Sequence, residues 1–133
     1  HSLGERICLA GPLSQLALYH EYRRADILCL PCRVDEDGDR DGIPNVLIEA
    51  MACGVPTVTT SVSGIPEVVD DGVTGLIVPV DDPAATADAI ERLGRDPALA
   101  RRMTANAAAR VRERFDGDRL AADLARLFRE AVA

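Results

Sequence analysis

The sequence predicts an α/β fold in which one parallel sheet of four strands is flanked by helices. Three short apolar runs and one β-branched run have the length of buried strands, and turn residues bound them. Helical patterns lie between these runs, and such alternation is typical of a parallel sheet covered on both faces. The 133 residues suffice for a hydrophobic core, so we predict a single domain over residues 1–133.

Each element is predicted from its own boundary residues. The first helix has Ser14 as a possible N-terminal cap, and the central helix begins at Pro44 and ends at Gly54. Two later helices start at Asp-Pro pairs, which are typical of helix N-termini. The predicted strands span 6–11, 26–31, 57–60 and 75–79, and the other predicted helices span 13–24, 64–69, 83–93, 97–115 and 118–132. Residues 1–80 therefore hold the strand–helix alternation, and residues 81–133 form C-terminal helices.

The composition argues against several functions. A formal net charge of −7 and an aromatic content of 3% do not suit a nucleic-acid surface, which needs positive charge and stacking side chains. No apolar run approaches the roughly 20 residues that span a bilayer, and no signal peptide is visible. The first residue is His1 and not Met, so we expect a fragment or a processed product.

Cys29 and Cys32 have the spacing of a redox motif, but Cys29 falls inside a predicted apolar strand. Neither His1 nor His20 has metal-ligand spacing to the pair. We therefore predict buried, reduced thiols, no metal site and a cytoplasmic protein.

The central helix carries the candidate functional residues. It is apolar nearly all round, which predicts burial, yet Asn45 and Glu49 share one face and Asp41 precedes them in the loop. A carboxylate on a buried helix is costly unless it is paired. The free N–H groups of the first turn suit phosphates, and the carboxylates suit hydroxyls. The alternative is that Glu49 pairs with an arginine and that Asp41 caps the loop.

Two longer segments resemble one enzyme family. Asp41 and Glu49, separated by seven residues and followed by Ala-Met-Ala-Cys-Gly-Val-Pro, resemble the acidic pair of family 4 glycosyltransferases. These are retaining, nucleotide-sugar-dependent enzymes of the GT-B fold. The segment 64–78 resembles the family's next segment, and the resemblance covers nearly the whole chain. The first acid of the pair is usually Glu, whereas Asp41 is one methylene shorter.

The resemblance implies the latter part of a Rossmann-like, nucleotide-sugar-binding C-terminal domain, truncated at its N-terminal side. Glu49 would accept hydrogen bonds from the ribose, and Asp41 would face the hydroxyls of the sugar ring. The loop before the central helix would cradle sugar and diphosphate with its N–H groups, and an earlier loop would touch the base edge. No metal or other cofactor is implied. The implied site residues are the catalytic pair Asp41 and Glu49, with Gly11, Pro12, Leu13, Gly42, Ile43, Pro44, Asn45 and Val46 as further donor-binding residues.

The implied partners are a nucleotide-sugar donor and a missing N-terminal domain that holds the acceptor. The whole enzyme could also associate peripherally with a membrane. In the family's strand order, the strand at 6–11 would be separated from the others by two strands that this chain lacks. We therefore expect three strands to stay together, while the segment 6–24 docks beside them or stays loosely attached. The exposed edge should then drive self-association.

Two other functions stay open at this point. One is a nucleotide-sugar epimerase on the same fold, and the other is a non-catalytic nucleotide-sugar-binding or interaction module. Arg33 and Arg40 are the nearest cations for a diphosphate.

Overall fold

The computed structural model describes residues 4–34 and 42–131, and within these ranges the chain forms a three-stranded parallel sheet. The strands are β1 (Leu28–Leu30), β2 (Thr57–Thr60) and β3 (Leu76–Val78), in the order β1-β2-β3. Cys29 lies opposite Val58 and Val58 lies opposite Leu76, so β2 is bonded on both sides. The helices are α1 (Gln15–Arg24), α2 (Asn45–Ala52), α3 (Ile65–Val68), α4 (Pro83–Arg95), α5 (Pro97–Arg114) and α6 (Gly117–Ala131), and a short 3-10 turn spans Gly4–Arg6.

The prediction of a fourth strand at residues 6–11 is wrong. Residues 7–11 form neither strand nor helix, and their side chains are exposed, with Leu9 92% accessible. An apolar run becomes a strand only where a neighbouring strand can pair with its N–H and C=O groups. The described residues offer none at this position. The expectation that three strands stay together is confirmed.

Side-chain caps set most helix boundaries. Ser14 accepts from the Ala17 N–H at 3.3 Å, and Asp82 accepts from the Ala85 N–H at 2.9 Å. Asp96 caps α5, and Asp116 accepts from the Arg119 N–H at 2.9 Å in the first turn of α6. These bonds satisfy backbone donors that have no partner within the helix. The predicted helices in these regions are confirmed to within a few residues.

The ends of α2 differ from these. Pro44 is the residue before the helix and not its first residue, because its ψ of 122° is extended. At the other end Gly54 has a φ of +76°. Its N–H donates to the Met51 carbonyl at 3.2 Å, and the Val55 N–H donates to the Ala50 carbonyl at 3.0 Å. This is the Schellman pattern of helix termination, which favours glycine at the left-handed position.

Two hydrophobic clusters hold helices α2, α3, α4 and α5 to the sheet. The first joins α2, α3 and α5, and the second joins β2 and β3 to α4 and α5. Their fully buried large side chains include Leu47, Met51, Val58, Ile65, Val68, Val69 and Met103. The central helix α2 is thus fixed on one side by a packed core.

Two parts of the described chain stay uncovered. Every side chain of α6 described from Gly117 to Glu130 is exposed, including Leu124 and Phe128, the latter 66% accessible. Cys8 and Cys29 are also exposed, and Cys32 and Cys53 are half-buried. The prediction of buried thiols is therefore wrong: Cys8 lies in the exposed segment 7–11, and Cys29 lies on β1, an edge strand of the described sheet.

Across the described ranges, no helix combines the length and the apolar character that crossing a membrane requires.

Candidate functional site

Helix α2 presents one polar stripe outward. Leu47, Ala50 and Met51 are fully buried, whereas Asn45 is exposed and Glu49 is half-buried. The sequence predicts burial nearly all round, with Asn45 and Glu49 as the exception, and the open side of the helix carries these two residues together with the exposed Ala52. The stripe faces outward because the sheet and α5 cover only the opposite side.

Glu49 is held by a tyrosine from another helix. The Tyr22 hydroxyl on α1 donates a hydrogen bond of 3.0 Å to Glu49 Oε2. Tyr22 is only 7% exposed and packs in a cluster with Ala50 and Val55. Burial, reinforced by the bond to Glu49, raises the pKa of Tyr22 to about 12. The phenol therefore stays protonated and donates across the neutral range.

Sequence reasoning missed this partner and favoured an arginine as the alternative. Tyr22 lies 27 residues before Glu49, and its place in the helical pattern of α1 predicts only burial. One signal in the sequence could have predicted this pair. A buried tyrosine hydroxyl needs a hydrogen-bond partner, and the apolar helix α2 carries one carboxylate that can accept.

A cleft opens beside the Tyr22–Glu49 pair, between α1 and α2. It encloses about 200 Å³ and is lined by Gln15, Tyr19, Tyr22, Glu49, Ala52 and Cys53. A second cleft of about 380 Å³ shares Tyr19, Tyr22, Ala52 and Cys53 with it. The Glu49 carboxylate is therefore accessible to a ligand from this side.

The loop before α2 is fixed by the turn before α3. The Gly64 N–H donates to the Gly42 carbonyl at 3.2 Å. A Cβ at Gly64 would lie 2.6 Å from Cγ1 of Ile43, so only glycine fits at this position. The structure thereby joins the two segments whose sequences resemble the same family.

The N-terminus of α2 has no side-chain cap, because Pro44 stands where α1, α4 and α5 have Ser or Asp. Pro44 is buried, Val46 is half-buried and Asn45 is exposed. The N–H groups of Asn45 and Val46 lie in the first turn, where no carbonyl of the helix reaches them. This end of α2 can therefore bind an anion.

The remaining predicted residues lie at different distances from this helix end. Gly11, Pro12 and Leu13 are exposed and closely precede α1, three of whose side chains line the Glu49 cleft. Asp41 and Arg40 lie outside the described residues. Arg33 is exposed and lines a separate cleft of about 450 Å³ with Pro79 and Asp81, beyond the ends of β1 and β3. Within residues 4–34 and 42–131, no three His, Cys, Asp or Glu side chains converge as metal ligands would.

Solved structures establish the class of this fold. Sucrose-phosphate synthase of Thermosynechococcus elongatus is 32% identical, has a TM-score of 0.83, and matches 98% of this chain and 31% of its own. Anabaena HepE, solved in complex with UDP-glucose, has a TM-score of 0.84 at 22% identity, over 96% of this chain and 33% of its own. The described chain is thus a Rossmann-like α/β unit of the GT-B glycosyltransferase architecture.

Residues 1–96 match the family model described as glycosyl transferases group 1, and the chain belongs to this family. It is 38% identical over 121 residues to D-inositol 3-phosphate glycosyltransferase of Streptomyces bingchenggensis, covering 91% of this chain and 25% of that protein. It is 40% identical over 114 residues to the amylovoran biosynthesis glycosyltransferase AmsK of Erwinia amylovora, covering 86% of this chain and 28% of that protein. The chain thus spans about a quarter of the length of these curated relatives.

Proposed function

We propose that this chain is part of the donor-binding domain of a glycosyltransferase that transfers a sugar, with retention, from a nucleotide-sugar donor to an acceptor. The observation that carries the proposal is the Glu49 carboxylate. It lies on the open stripe of an otherwise apolar helix, accepts a bond from Tyr22, and lines a cleft. Membership of the group 1 family supports the same function.

The diphosphate of the donor binds at the N-terminus of α2. In this proposal the backbone N–H groups of Gly42, Ile43, Asn45 and Val46 bind it, and Pro44 sets the extended turn into the helix. When the sugar leaves, negative charge develops on the diphosphate. The helix end stabilises that charge without any reorganisation, and no metal ion takes part in the proposal.

Glu49 binds the ribose of the donor. It lies four positions after Asn45 on the helix, a rise of about 6 Å. This separation is comparable to that between the diphosphate and the ribose hydroxyls of one nucleotide. A carboxylate has about four lone-pair positions, so Glu49 can accept from both ribose hydroxyls while it also accepts from Tyr22.

Asp41 and the loop 11–13 complete the proposed site. Asp41 faces the hydroxyls of the transferred sugar, and Gly11, Pro12 and Leu13 contact the base edge with backbone atoms. The HepE complex with UDP-glucose supports a nucleotide sugar as the donor class. The two relatives are named after different compounds, D-inositol 3-phosphate and amylovoran, so the acceptor is not part of the proposal. A cytoplasmic location and peripheral membrane association also remain predictions.

Calorimetric titration of the full-length protein with UDP, GDP and ADP tests the ribose contact. In Glu49→Ala, we expect affinity for the preferred nucleotide to fall by about 1.5–3 kcal/mol, the range for a hydrogen bond to a charged group. Glu91→Ala is the matched control, because Glu91 is exposed on α4 and pairs with Arg95 at 2.8 Å, away from the cleft. An unchanged dissociation constant in a folded Glu49→Ala variant would show that Glu49 does not bind the ribose.

Asp41→Ala separates the two acidic roles. We expect slower turnover of the intact sugar donor, with nucleoside diphosphate affinity nearly unchanged, because Asp41 contacts only the sugar. Equal weakening of both ligands would show that this division of roles is wrong. Conversion of the donor sugar without any acceptor would favour an epimerase, and binding without turnover would favour a non-catalytic module.

A further inference from the structure

We infer that Tyr22 is a positioning residue of the donor site: its hydroxyl fixes the Glu49 carboxylate in the orientation that accepts the ribose hydroxyls. This inference rests on the proposed function, because it assigns Tyr22 a role only through Glu49.

The tyrosine ring is anchored before any ligand arrives. It is 7% exposed and packs with Ala50 and Val55, and Leu18 and Leu28 pack against the same cluster. Val55 belongs to the turn that ends α2, so the ring is fixed against the helix that carries Glu49. The position of the hydroxyl is therefore set by core packing and not by the ligand.

The bond at 3.0 Å uses one acceptor position of Oε2. Oε1 and the second lone pair of Oε2 remain for the ligand. A free glutamate side chain loses rotamer freedom when it binds, and this loss weakens binding. Tyr22 removes that freedom in advance, which is preorganisation of the carboxylate.

The hydroxyl donates throughout the pH range in which a glycosyltransferase works, because burial raises the pKa of Tyr22 to about 12. Packing alone does not require this hydroxyl, since a phenylalanine would fill the same cluster. Tyr22→Phe therefore removes the positioning bond and keeps the ring.

The test is a double-mutant cycle of Tyr22→Phe and Glu49→Ala in the full-length protein. The measured quantity is the dissociation constant of the nucleotide that binds most tightly among UDP, GDP and ADP. We expect Tyr22→Phe to raise this constant by about threefold to tenfold in the wild-type background, the cost of immobilising one rotamer-rich side chain on binding. In the Glu49→Ala background it should add less than about twofold, because the two residues act as a unit. In turnover assays, the donor KM should rise while kcat changes little.

A matched variant separates positioning from loss of stability. Thr74→Val also removes one buried hydroxyl, the acceptor of the Asp70 N–H at 2.8 Å. It should lower stability without changing the dissociation constant.

Three outcomes of this experiment would each contradict a different claim. If Glu49→Ala binds nucleotide normally, the proposed function fails. If Glu49→Ala binds weakly and Tyr22→Phe binds normally, only the inference about Tyr22 fails. If Tyr22→Phe weakens binding equally in both backgrounds, Tyr22 has a structural role and does not act through Glu49.

Discussion

At the scale of single residues, the side chain of Tyr22 belongs both to the hydrophobic core and to the cleft that contains Glu49. The ring of Tyr22 belongs to the cluster under α1 and α2, and its hydroxyl reaches the cleft. A hydroxyl at that boundary would be left unpaired without an acceptor, and an isolated carboxylate would be poorly oriented. Each residue therefore satisfies the other before any ligand binds.

The shifted pKa of Tyr22 predicts a change of stability at alkaline pH. The pKa is about 12 in the folded chain and 10.0 in an ordinary tyrosine, so the stabilisation is complete below pH 10 and is lost between pH 10 and 12. We expect wild type to lose up to about 2–3 kcal/mol more than Tyr22→Phe across this window. Denaturant unfolding of both proteins from pH 8 to pH 12 measures it. Parallel curves would show that burial does not perturb this phenol.

At the scale of elements, the left-handed turn after α2 is a specific requirement for glycine. Gly54 has a φ of +76° and nothing lies within 4 Å of the position that a Cβ would occupy, so the cost of Gly54→Ala is conformational. We expect a loss of about 1–2 kcal/mol. Gly94→Ala is the control, because Gly94 lies inside α4, without a positive φ and with equally open space. It should gain about 0.5–1 kcal/mol. Denaturant unfolding measures both changes in the free energy of unfolding. If the two changes had the same sign, the left-handed turn at Gly54 would not be the cause.

The central strand β2 offers a second matched pair. Thr57 and Thr59 are both fully buried, but Thr59 donates to the Leu30 carbonyl at 2.9 Å, whereas Thr57 Oγ1 has no hydrogen-bond partner among the described residues. Thr57→Val should stabilise the protein by about 1 kcal/mol, because it removes an unpaired buried hydroxyl. Thr59→Val should destabilise it by a similar amount. Thermal unfolding of the two variants checks the opposite signs.

Local signals explain which elements can be predicted from the sequence. The caps Ser14, Asp82 and Asp96 and the terminating Gly54 act within a few residues of themselves, so the sequence alone predicts those helix boundaries. A strand depends on its neighbour, and the apolar run at 6–11 has none among the described residues. The same limit applies to the site. Glu49 is visible from helical spacing, but its bond to Tyr22 joins distant parts of the chain.

At the scale of the whole molecule, exposed apolar surface predicts self-association of the 133-residue chain in isolation. Leu120, Leu124, Leu127 and Phe128 form one face of α6 and are each about half exposed or more. β1 also pairs only with β2 within the described sheet. We expect concentration-dependent association by light scattering, weakened by combining Leu124→Arg with Phe128→Arg. The pair Arg126→Ala and Arg129→Ala on the same helix is the control. A monodisperse monomer at all concentrations would contradict this expectation.

The same chain in isolation should transfer no sugar, since it spans about a quarter of its curated relatives and transfer requires an acceptor held against the donor. Transfer of labelled sugar to an acceptor by the purified chain, at a rate above that of its Glu49→Ala variant, would contradict this prediction.

Because β2 is the central strand, we expect its amide protons to exchange with solvent more slowly than those of β1. All four residues of β2 are buried and strands lie on both sides, so exchange there requires the sheet to come apart as a unit. β1 is bonded on one side only within the described sheet and can open alone. Helix α2 connects the two strands in sequence, with its Schellman turn leading directly into β2. The C-terminal end of α2 is thus tied to the slowest-opening strand, so local opening of the helix starts at its N-terminal end, where we propose that the phosphate binds.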